Sequence, residues 1–137
     1  RRGVGWSPPP RPADTATKRG LDIVLTRSGV WCAVVAIAVA SFNVAPHLPT
    51  RAALALYGLA ALLAGGMCSA NFWRCRHAHC LITGAGWLAL SVTAFVGAVA
   101  GHSLIGGREP TVFEVTLAVA LAFEVVWYLA RGTNAIR

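Results

Sequence analysis

The chain has 137 residues, of which 56% are hydrophobic and only 12% charged, and its formal net charge is +7. So few charges cannot cover a water-soluble domain of this size, which excludes an ordinary cytosolic enzyme. The basic excess is not gathered into a patch but falls between long apolar runs, so nucleic acid is not an expected partner.

Residues 1–20 carry Pro8-Pro9-Pro10-Arg11-Pro12 among arginine, lysine and threonine, and read as a disordered, basic, Pro-rich tail. Residues 21–137 read as an all-α integral membrane domain, a bundle of four transmembrane helices. The expected spans are about 28–45, 52–70, 80–100 and 111–130. The first is free of charge from Ser28 and extends back towards Leu21 if Asp22 and Arg27 sit among lipid headgroups. Each run is roughly 18 to 21 residues, the length that crosses a hydrocarbon core of about 30 Å.

Basic residues orient the bundle. Ten of the twelve fall on one side: Arg1, Arg2, Arg11, Lys18, Arg19 and Arg27 before the first span, Arg74 and Arg76 between the second and third, and Arg131 and Arg137 after the fourth. Only Arg51 and Arg108 fall on the other. Both termini and the 71–79 loop are therefore expected in the cytoplasm, in a membrane of the bacterial inner (plasma) type, with anionic lipid as a partner.

The third span carries Ala85, Ala89, Thr93, Gly97 and Gly101 at every fourth position, ending in GxxxG. Such stripes let helices approach closely, so Gly97 and Gly101 are expected at a packing seam within the bundle or between copies of the chain. Trp31, Trp87, Trp127 and Tyr128 are expected in the interfacial aromatic belts.

One chemical signal stands out. Residues 67–80 hold Cys68, Cys75, His77, His79 and Cys80, three of the four cysteines and two of the four histidines. Thiolate and imidazole together suit soft or borderline ions, namely zinc, monovalent copper and mercuric ion. Arg74 and Arg76 flank Cys75 and favour its thiolate. A helical segment would align Cys68, Cys75 and His79, whereas a tight hairpin would set Cys75 against Cys80. Two other readings stay open: an interfacial cluster without chemistry, and a lipid-headgroup or anion site at Arg74 and Arg76.

In the fourth span, Glu114 completes a Thr111-x-x-Glu114 capping-box pattern. Glu124 has no such role, and intramembrane carboxylates are functional candidates by default. It is expected either to carry a proton or cation or to make a hydrogen bond within the chain or to a partner protein, with Tyr128 and Arg131 as candidate partners within the chain.

A cytoplasmic pair, Cys75 and Cys80, together with Cys32 inside the first span, resembles the small inner-membrane mercuric ion transport proteins of mercury-resistance operons. The resemblance implies that Cys32 accepts the ion and that Cys75 with Cys80 passes it on. That family carries adjacent cysteines in its first helix, whereas Cys32 lies between Trp31 and Ala33. The function expected from the sequence is therefore binding or transport of a soft or transition metal ion. The metal candidates are Cys32, Cys68, Cys75, His77, His79 and Cys80, with Glu124 beside them as the intramembrane carboxylate. The alternative is a non-catalytic accessory subunit of a larger membrane complex. No catalytic constellation is recognised, so no enzymatic role is expected.

Overall fold

The computed structural model describes Gly20, residues 28–133 and Ile136, with the backbone alone at position 75. The expected tail therefore lies outside the described residues apart from Gly20, as do Asp22, Arg27 and Arg137. The described chain forms four long helices: α1 (Ser28–Val44), α2 (Thr50–Cys75), α3 (Ala78–Ala100) and α4 (Glu109–Arg131). A short 3-10 turn, Ala45–His47, joins α1 to α2. All four regions are long and apolar enough to cross a membrane, so the chain is that of an integral membrane protein. Val99 and Leu129, which are 82% and 77% exposed, would be unfavourable in water and are at home against acyl chains.

The α2–α3 hairpin is the core, and α1 and α4 flank it. Lipid is as apolar as leucine, so association rests on close packing rather than on burial from water. Glycine supplies the closeness. A Cβ on Gly65 would stand 2.9 Å from the backbone nitrogen of Leu88, and one on Gly58 3.0 Å from the Phe95 ring. Ala61, Ala64, Cys68, Trp87 and Leu90 fill the space between, with Ile105 and Phe113 packed against them. Ser91 Oγ donates to the carbonyl of Gly58 at 2.9 Å, a buried interhelical bond of the kind worth about 0.6 kcal/mol in lipid.

Only part of the expected small-residue stripe lies on the packed face of α3. Its buried positions include Cys80, Thr83, Gly84, Trp87, Leu90, Ser91, Ala94 and Gly97, while Ala85 and Ala89 are exposed. A strict spacing of four drifts about 40° per step on a helix of 3.6 residues per turn, so the stripe winds roughly 160° round the rod. Gly97 lies on the packed face, where an added Cβ would meet Leu54 Cδ1 of α2 at 3.4 Å, and with Gly101 it also shapes the turn after α3. A Cβ on Gly97 would meet the His102 carbonyl at 2.9 Å, and Gly101 caps the helix at φ 84°. Trp87 likewise leaves the expected aromatic belt. It is 7% exposed, stacks on Phe113 with centroids 4.4 Å apart, and donates Nε1–H to the Phe113 carbonyl at 3.1 Å.

The start of α4 also differs from expectation. It begins at Glu109, before rather than after Pro110, because a proline fits the first turn, where no N–H is needed. Thr111 is then interior and Glu114 exposed, so the capping box does not form. Glu109 takes the acidic place instead. It is 2% exposed and accepts from Ser103 Oγ at 2.6 Å, and the same hydroxyl accepts from the backbone N–H groups of Ile105 and Gly107. Nothing in the sequence pattern had singled out Glu109.

Candidate metal centre at the end of the α3–α4 groove

The expected 71–79 loop is almost entirely helix. α2 runs on to Cys75, and the reversal is made by two residues. Arg76 takes the left-handed conformation (φ 51°, ψ 33°) and donates its N–H to the Phe72 carbonyl, and His77 is extended as the N-cap of α3. A non-glycine residue in that region costs of order 1–2 kcal/mol, so the sharp reversal is a structural commitment. It sets His77 before the first turn of α3 and His79 within it. The Arg76 carbonyl accepts from Ile136 N–H at 2.8 Å, so Ile136 lies against the same turn.

α4 supplies the third group. The stripe Glu109, Phe113, Thr116, Ala120, Glu124 and Trp127 is half-buried or buried at every position, at the spacing of one helical face. Two contacts fix its register against α3. Gly86 leaves room for Thr116, whose Cγ2 would stand 2.5 Å from an added Cβ, and Trp87 stacks on Phe113. In that register Glu124 meets His79, and Nδ1–H of His79 donates to Oε2 of Glu124. A partner of Glu124 is thus His79 on α3, in addition to the expected candidates Tyr128 and Arg131 farther along its own helix.

The ligand atoms of His77, His79 and Glu124 all lie within 4.8 Å of one another. The two imidazoles meet edge to face with centroids 5.6 Å apart. Ligand atoms of a tetrahedral site stand roughly 3.4 Å apart at bonds of about 2.1 Å, so to hold one ion His79 and Glu124, which are in direct contact, would have to part and the group rearrange around it. Two imidazoles and a carboxylate with a fourth position open are a donor set suited to zinc-like divalent ions. All three residues are half-buried, which leaves the group reachable from the end of the bundle.

Cys80 lies on the other side of His79. Its Sγ stands 3.2 Å from His79 Nε2 and accepts from Asn71 Nδ2 at 3.4 Å, and the residue is 1% exposed. The remaining sequence candidates are placed elsewhere. Cys32 is exposed on α1, and Cys68 belongs to the apolar core. The side chain of Cys75, and with it the expected pairing across the turn, lies outside the described residues. Arg74 is half-buried and Arg76 exposed, both at the same end as the histidines.

No protein family, curated protein or solved structure matches the chain.

Proposed function

We propose that the protein binds a divalent transition-metal ion in the membrane, through His77, His79 and Glu124, as a small metal-handling or metal-transporting protein. The observation that carries this reading is the convergence of three ligand groups from two separate helices. A carboxylate inside a membrane span costs about 2.5–3.5 kcal/mol at the centre, so one that points at an imidazole pair calls for a role. An open three-ligand site suits an ion that must enter and leave. The distribution of basic residues supports placing this end on the cytoplasmic side of a bacterial inner membrane, with both termini there. Mercuric ion, the cargo implied by the sequence resemblance, is a softer ion than this donor set favours.

The test is a cobalt(II) titration of the purified protein in detergent, followed by absorption. The expected result is one ion per chain with a tetrahedral d–d spectrum, displaced by zinc and lost in a His77→Ala/Glu124→Gln double variant. An accessory subunit without metal chemistry would show only weak, substoichiometric uptake that the double variant leaves unchanged.

A further inference from the structure

The two nitrogens of His79 face different chemistry. Nδ1 faces Glu124, in the group that includes His77, and Nε2 faces the Cys80 thiol at 3.2 Å. One ion bound at Nδ1 cannot also reach Cys80 through the same ring, because the two nitrogen lone pairs diverge in the ring plane. We propose that His79 is a two-faced ligand serving two alternative metal positions. The Nδ1 face takes borderline divalent ions, and the Nε2 face with Cys80 Sγ takes a soft monovalent ion of the copper(I) class. This rests on the preceding reading for the first position only.

Three features assign the second position to a soft monovalent ion. Sulfur is the preferred donor of such ions, and Cys80 supplies it. Sulfur and nitrogen are the only two ligand atoms the position needs, and copper(I) is satisfied by two, whereas zinc seeks four. Burial then discriminates. Cys80 is 1% exposed, so an ion there must shed its water, and the cost of removing charge from water is far greater for a divalent ion. The Asn71 amide, donating to Sγ at 3.4 Å, holds the sulfur in place and stabilises the electron density that the ion shares. To admit the ion, the sulfur–nitrogen gap must widen, and the binding of one ion at His79 disfavours the other.

The experiment uses the full chain carrying Cys32→Ser and Cys75→Ser, so that Cys68 and Cys80 are the only thiols left. Copper(I) is titrated anaerobically against a chromophoric chelator, and cobalt(II) separately by absorption. Cys80→Ser is expected to weaken copper(I) about 100-fold or more while leaving cobalt(II) within a few-fold. Glu124→Gln is expected to do the reverse, and His79→Ala to weaken both. Copper(I) affinity unchanged in Cys80→Ser overturns the proposal, as does a sulfur-to-cobalt charge-transfer band that this variant abolishes. Failure of cobalt(II) to bind, with Cys80-dependent copper(I) binding intact, removes the divalent reading and with it the first face, and leaves the copper(I) position at Nε2 and Cys80 standing. Should Cys80→Ser not fold, X-ray absorption of the copper(I)-loaded parent decides. One sulfur and one nitrogen support the proposal, and a shell without sulfur or of sulfur alone overturns it.

Discussion

Glu124 of α4 and His79 of α3, 45 residues apart in the chain, are joined by a hydrogen bond between Oε2 and Nδ1–H. The bond unites two features that look unrelated along the sequence, a Cys/His cluster at a helix turn and a lone carboxylate in the last span. Its removal separates ligation from stability. Glu124→Gln keeps an oxygen that accepts from His79, so the melting temperature in detergent is expected to move little. Metal affinity is expected to fall about 100-fold or more, because an amide is a poor substitute for a carboxylate at a divalent ion. A parallel loss of both would assign Glu124 to packing alone.

Adjacent glycines on α2 should respond in opposite ways. A Cβ on Gly65 meets backbone at 2.9 Å, whereas Gly66 has nothing within 4 Å. Gly65→Ala is therefore expected to destabilise the α2–α3 hairpin by about 1–3 kcal/mol. Gly66→Ala should be neutral or slightly stabilising, since alanine is the better helix former by up to about 1 kcal/mol. Thermal unfolding of the two variants side by side reads the difference.

The tryptophans form a second contrast. Trp87 is 7% exposed and stacked on Phe113, while Trp73 is 74% exposed. Trp87→Ala is expected to cost about 3–5 kcal/mol and to loosen α4 from α3, with the metal affinity falling as Glu124 loses its register. Trp73→Ala should leave stability and metal binding near those of the parent. Equal effects would mean that the Trp87–Phe113 stack does not set the register.

At the opposite end, Ser103 joins buried Glu109 to two backbone N–H groups of the 101–108 turn. Ser103→Ala leaves the carboxylate without that donor and is expected to destabilise by about 1–3 kcal/mol. Ser103→Thr, which keeps the hydroxyl, should recover most of it. Amide hydrogen exchange at Ile105 and Gly107 is the direct readout, and unchanged protection in Ser103→Ala would contradict the role.

The membrane spans were legible in the sequence because length and charge-free hydropathy are local properties, and the four helices fall close to the expected ranges. The continuation of α2 to Cys75 was not, since Asn71 and Arg74 read as loop residues although both are compatible with a helix end at a headgroup layer. His77, His79 and Glu124 were each visible as candidates, but their meeting was not. A symmetrical hairpin between Ala100 and Thr111 would set Glu124 opposite Trp87. The actual register is about two turns different, because α4 starts at Glu109 and the 101–108 turn folds back over its first turn. That offset is set by Gly86 against Thr116 and Trp87 against Phe113, contacts between residues far apart in sequence.

The proposed site holds one divalent ion between two imidazoles and one carboxylate. X-ray absorption at the zinc edge of the loaded protein tests it most directly. The expected result is a nitrogen and oxygen shell at about 2.0–2.1 Å with the outer scattering of two imidazoles, reduced to one in His77→Ala. A shell dominated by sulfur at about 2.3 Å, or one that His77→Ala and Glu124→Gln leave unchanged, would contradict it.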